Sequence, residues 1–215
     1  MRLCRERFAL ATQLLRKSLC SITRNIKYMV TTLAIARHTF TVEQYYQMAE
    51  VGILDITKGT ELIEGEIVDM SPMGRLHAAC IAKATRSLIR LLLDTTDVRV
   101  QLPINLSNRS EPQPDLAIVH YREDYYASGH PQSNDILLLI EVSDSTLKYD
   151  LEVKLPLYAR SSIPEVWIVN LEEQILEVYR QPIENGSGMV QYYRQGEIVK
   201  LLMEEEIAIA VNQIL

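Results

Sequence analysis

Cysteine is scarce in this chain of 215 residues, and the little there is forms no pattern. Cys4, Cys20 and Cys80 are odd in number, far apart and in no Cys-x-x-Cys or Cys/His cluster. That argues against a disulfide framework and a structural zinc site, and points to a reducing compartment, the cytoplasm. Equally lacking is any apolar run approaching the ~20 residues that span a bilayer, so no membrane partner is expected. The sequence carries no internal repeat and no low-complexity linker, and the length fits one domain with a sizeable core and at most an appendage. His38, His120 and His130 have no ligand spacing.

Positive charge is scarce too, once its location is considered. Seven of the 22 basic residues but only one of the 28 acidic ones lie in residues 1–28, which leaves 15 against 27, a net of −12 for the remainder. A body that acidic repels phosphate at long range, so an activity on nucleic acid would need a local patch or a metal ion. The first 28 residues are Arg-rich, with Phe8, Leu10, Leu14, Leu15 and Leu19 at amphipathic spacing. They read either as a transit peptide or membrane- or nucleic-acid-binding arm, or as an upstream extension with translation starting at Met29. The second reading is favoured, and 29–215 is taken as the domain.

From there the chain alternates between helical and strand periodicity. Thr41 and Gln44 form a capping-box pattern for a short helix ending near Gly52. Residues 61–70, ELIEGEIVDM, read as two short strands around a Glu-Gly turn. Leu76, Cys80, Ala84, Leu88 and Leu91 recur at helical spacing after Gly74. Val98 to Leu106 reads as a strand, and Tyr121 to Ser133 as a long exposed loop in which Tyr125-Tyr126 could stack on bases or simply pack. Past residue 143, Asp144, Ser145 or Thr146 could cap a helix interrupted by Pro156. Residues 165–170 and 174–180 read as neighbouring strands, Asn185-Gly186 as a hairpin turn, and the tail as short terminal strands. The sum is a mixed α/β domain with a β-rich C-terminal tail.

Two of the strands carry a lone acid at one end. Asp115 precedes the run Leu116–Val119, and Glu141 follows Ile136–Ile140. Strands apolar on both faces lie inside a covered sheet, where an unpaired acid is costly. Two such acids on neighbouring strands can share a hard divalent cation.

The order Glu64, Pro114-Asp115, Glu141-Val142-Ser143, Lys154 resembles the PD-(D/E)xK nuclease superfamily, with its restriction-endonuclease-like core sheet flanked by helices. The segments ELIEGEIVDMSP, EPQPDLAIV, LLLIEVSDST and KYDLEVKLPLYARSSIPEVWIV resemble more closely the Uma-type family of restriction endonucleases, over roughly Thr41 to Val211. The resemblance implies an endonuclease on DNA that depends on Mg²⁺ or Mn²⁺ and acts as a homodimer. Asp115, Glu141, the main-chain carbonyl of Val142 and Glu64 would be the ligands. Ser143 stands where the superfamily carries its lysine, and Lys154 would replace it from the following helix.

Each assignment has a plainer alternative. Glu64 could be a turn acid, Glu141 could simply pair with Lys154, and Asp150 could be the partner of Lys154 or a supporting acid. His77, at the start of the long helix, could touch a phosphate or lie on the surface. For the whole chain, the alternatives are a nuclease fold kept for binding or scaffolding, and a metal-dependent phosphodiesterase acting on something other than DNA.

Overall fold

A computed structural model describes residues 37–55, 59–92 and 96–215. Expectations placed on residues 1–28, including Cys4 and Cys20, lie outside the described residues. By contacts the chain divides into Met1–His38 and Thr39–Leu215, and the second unit is the one described below. Among the described residues no helix is long and apolar enough to cross a membrane.

Helix α1 (Val42–Glu50) starts on the expected capping box: the Thr41 hydroxyl accepts from the Gln44 N–H while the Gln44 side chain accepts from the Thr41 N–H. Strands β1 (Thr60–Ile63) and β2 (Glu66–Asp69) form the expected hairpin. Its turn residues Glu64 and Gly65 both have positive φ, 50° and 83°. Gly65 is required for a second reason, since a Cβ there would meet the Thr39 side chain at 2.6 Å. Helix α2 (Arg75–Leu91) buries Cys80, Ile81, Ala84 and Leu88. Leu76 departs from the expected stripe and stays exposed.

The core is a six-stranded mixed sheet in the order β3 (Thr96–Val100), β4 (Leu116–His120), β5 (Ile136–Ser143), β6 (Glu165–Asn170), β7 (Ile175–Ile183), β8 (Gly186–Arg194). Only β5 and β6 run parallel. Leu116, Leu138, Ile140, Val142, Trp167 and Val169 face α2 and the C-terminal tail. The alternate residues Ala117, Val119, Leu139, Val166 and Ile168 face the other layer, which holds Ile104, Leu155 and Tyr158. Cover on both faces explains why these strands read as unbroken apolar runs. The tail strands β9 (Ile198–Lys200) and β10 (Ala208–Ala210) pair with each other and contribute Val199 and Ile209 to the core, joined by Leu201 just after β9.

Three local expectations need correction. The strand expected from Val98 to Leu106 stops at Val100, because Gln101 takes a left-handed φ of 49° that ends the ladder. The β7–β8 turn sits one residue early: Ile183 pairs with Gly186, so Glu184 and Asn185 make the turn. In the 121–133 loop Tyr125 is exposed, but Tyr126 is buried, with its hydroxyl donating to the His120 carbonyl at 2.7 Å.

The segment after β5, here α3, has three parts: an α turn Leu147–Tyr149, a π turn Asp150–Lys154, and an α part Leu155–Arg160. Pro156 has no N–H to donate, and its ring would clash with the carbonyl four residues earlier. The wider turn just before it absorbs that conflict, with the Leu155 N–H reaching back to the Asp150 carbonyl. Both ends of the π turn, Asp150 and Lys154, are buried.

Candidate active site

Strand register brings the two acids together. Leu116 pairs with Ile140, so one further step along the antiparallel ladder sets Asp115 across from Glu141. Past that point β4 has ended, and the Val142 N–H, which points toward β4, finds the Asp115 Oδ2 at 2.8 Å instead of a strand. N–H and C=O of one strand residue leave on the same side, so the Val142 carbonyl is also directed toward Asp115. The other Asp115 oxygen accepts from His77 Nε2 at 2.9 Å and Gln101 Nε2 at 3.2 Å. The left-handed turn that ends β3 thus also aims Gln101 at the site.

Glu141 faces the other layer. Its Oε1 accepts from the Tyr158 hydroxyl and from Lys154 Nζ, the latter at 3.3 Å. Lys154 is equally close, 3.3 Å, to Glu61 Oε2, which also accepts the Gln113 N–H at 3.1 Å. Glu61, Glu141 and Lys154 are all buried. Burial drives the Glu141 carboxyl up to about 8, against the pull of the Lys154 ammonium. Burial also acts to neutralise Lys154, but the surrounding carboxylates, Glu141 and Glu61 first, outweigh it and hold the ammonium above its ordinary range. The hydrogen bond to Asp115 raises His77 despite partial burial.

Ser143, fully buried, donates to Asp150 Oδ2 at 2.7 Å, and the Thr146 hydroxyl donates to the same oxygen at 2.8 Å. Thr146 therefore occupies the N-cap position of α3 without capping it by its side chain. Asp115, Glu141, Lys154, His77, Thr146 and Asp150 line a cleft of about 690 Å³, together with Met70, Pro72 and Met73. Six of its lining residues are acidic, Glu61, Asp69, Asp115, Glu141, Asp144 and Asp150, against Lys154 and His77.

The structure brings together Asp115, Glu141, Val142 and Lys154, with His77, Ser143 and Asp150 beside them. Glu64 is not among them. It sits in the β1–β2 turn with an exposed carboxylate bonded to Arg160 Nη2 at 2.6 Å. Two acids of this hairpin do line the cleft, the exposed Asp69 and the buried Glu61, three residues before Glu64. Glu61 alternates with the apolar Ile63 on one face of β1, and a carboxylate at an apolar-face position is the signal that marks it. Gln101, Tyr149 and Tyr158 also escaped the sequence reading.

Comparison with known proteins follows the same lines. The crystal structure of a protein titled "a putative nuclease belonging to DUF820", from Anabaena variabilis, aligns with a TM-score of 0.61 at 13% identity, covering 81% of this chain and 97% of that one. At that identity the likeness establishes a shared fold. A comparison with the curated proteins found no match. The Uma2 family, described as "Putative restriction endonuclease", matches residues 42–212, most of the chain and every element of the cleft. The chain belongs to the Uma2 family.

Proposed function

We propose that this chain is a divalent-metal-dependent nuclease that hydrolyses DNA phosphodiester bonds in the cleft around Asp115 and Glu141. The observation that carries the reading is the buried Lys154 ammonium, 3.3 Å from both Glu141 and Glu61. It supplies from the π turn of α3 the positive charge that Ser143 cannot supply from the strand. A lysine so placed can offset negative charge developing on a phosphoryl group.

The donor chemistry suits Mg²⁺ or Mn²⁺. Among the described residues no three Asp, Glu, His or Cys side chains converge tightly enough to enclose an ion. Asp115, Glu141 and the Val142 carbonyl are nonetheless hard oxygen donors, and Mg²⁺ typically takes one or two carboxylates and keeps several waters. Glu141 has one oxygen with no donor among the described residues, open to such a role. When bound, the ion would lower the pKa of a water and stabilise charge on the phosphate. The chain's own residues do the positioning. His77, Gln101 and the Val142 N–H fix Asp115, Tyr158 fixes Glu141, and Glu61 holds Lys154 from its far side.

A second reading rests on the six acidic lining residues. A cleft this negative disfavours a long polyanion and favours the same chemistry on a smaller phosphodiester. The test is Mg²⁺- and Mn²⁺-dependent nicking of supercoiled plasmid, run beside hydrolysis of bis(p-nitrophenyl) phosphate, for the parent and Lys154→Met. Nicking that needs the metal and Lys154 supports the nuclease. Turnover of the small ester alone supports the second reading, and turnover of neither sinks both. Cutting of both strands would need two copies, so a homodimer belongs to the proposal and would be checked by sedimentation.

A further inference from the structure

Most hydrogen-bond donors in and behind the cleft are engaged by a carboxylate. His77, Gln101 and the Val142 N–H serve Asp115, Tyr158 serves Glu141, Ser143 and Thr146 serve Asp150, and the Gln113 N–H serves Glu61. Two exceptions line the same cleft. The Lys154 ammonium has three N–H groups, of which Glu141 and Glu61 account for two. Tyr149 lines the cleft, and its hydroxyl is shielded from water and has no hydrogen-bond partner among the described residues.

A buried hydroxyl without a partner is uncommon and calls for an explanation. Here the explanation is local chemistry. Tyr149 lines the same cleft as Glu61, Lys154, Asp150 and Glu141, and the charges that act on its phenol are theirs. Burial and these acids hold the phenol well above its ordinary range, so it remains a proton-bearing donor. Its place is fixed by the backbone, since Tyr149 immediately precedes the π turn that carries Lys154 inward. An incoming oxyanion that reached Lys154 would therefore meet a second donor already in position.

We propose that Tyr149 is a further catalytic residue, its hydroxyl donating, beside the Lys154 ammonium, to a non-bridging oxygen of a phosphodiester. This rests on the nuclease reading for its substrate class, but not for the existence of the oxyanion site. The test compares full-length parent and Tyr149→Phe by plasmid nicking in Mg²⁺, by calorimetric binding of the dinucleotide d(TpT) in Ca²⁺, and by thermal melting. The expected result is a loss of about 50-fold in kcat/KM, about fivefold weaker d(TpT) binding, and a melting temperature equal to or above the parent's. Stability holds or rises because an unsatisfied buried group has been removed.

If the parent does not nick but binds d(TpT), and the Phe variant binds it several-fold more weakly, the nuclease reading fails while the Tyr149 site stands. Nicking and binding both unchanged in the variant overturn the proposal. So does a parent that does not bind d(TpT), and so does a variant whose losses track a lowered melting temperature.

Discussion

Two buried glutamates in the same sheet, each facing a cation, differ in nearly everything else. Glu165 on β6 is completely saturated: Oε1 accepts from Arg180 through two nitrogens, Nε at 2.8 Å among them, and from Trp167 Nε1 at 3.0 Å, while Oε2 accepts the Leu202 N–H at 2.8 Å. Glu141 on β5 has both its donors on one oxygen, a longer contact of 3.3 Å to its cation, and an open cleft in front of it. The first pair ties the tail to the sheet with a rigid guanidinium fork. The second keeps a carboxylate oxygen and an ammonium proton unengaged next to solvent. Under-satisfaction of this kind is costly to a fold unless a ligand completes it.

Removing each cation should separate the two glutamates most strongly. Lys154→Met should lower nicking by about 100- to 1000-fold while the protein still folds, since Glu141 can take up a proton in place of its partner. Arg180→Met should leave the residual activity per folded molecule unchanged but destabilise the chain by about 3 kcal/mol, because Glu165 has no route to solvent. Denaturant melts and nicking rates on the two variants check both halves.

The pH dependence sharpens the contrast further. Burial lifts Glu141 from 4.5 to about 8 in the folded state. A carboxyl raised on folding binds its proton more tightly in the native state. Its contribution to stability is therefore full below about pH 4.5 and is lost as pH rises toward about 8. Glu141→Gln should flatten stability across that window, read from urea midpoints at a series of pH values. A metal ion bound through Glu141 would have to displace the same proton, so Mn²⁺ affinity in the parent should rise up to about tenfold per pH unit below pH 8.

A smaller effect is expected at the π turn. Pro156→Ala restores an N–H and removes the clash that widens the helix, so Lys154 should lose its fixed position and activity should fall about tenfold with little change in melting temperature. Smallest of all is Glu64→Ala. Its bond to Arg160 is exposed and should be worth less than about 1 kcal/mol, with nicking unchanged, whereas Glu61→Gln should impair it severely.

That last contrast also marks how far the sequence could be read. Asp115 and Glu141 stood out because each ends a solid apolar run, and a covered sheet leaves such acids nowhere to go but toward one another. Lys154 stood out by its position after them, yet its burial depends on a π turn that only the conflict at Pro156 produces. The hairpin was legible, but which acid it delivered was not. A Glu-Gly pair with positive φ turns Glu64 outward, and the buried face of β1 belongs to Glu61. Gln101 and Tyr149 could not be found at all, since a left-handed residue and a helix's first turn decide where they point, and neither leaves a periodic trace.

The most direct measurement is calorimetric titration of Mn²⁺ into the parent and into the Asp115→Ala/Glu141→Ala double variant. One binding event is expected in the parent, strengthening as pH rises toward 8, and none in the variant. Equal binding in both, or no binding in the parent, would contradict this expectation.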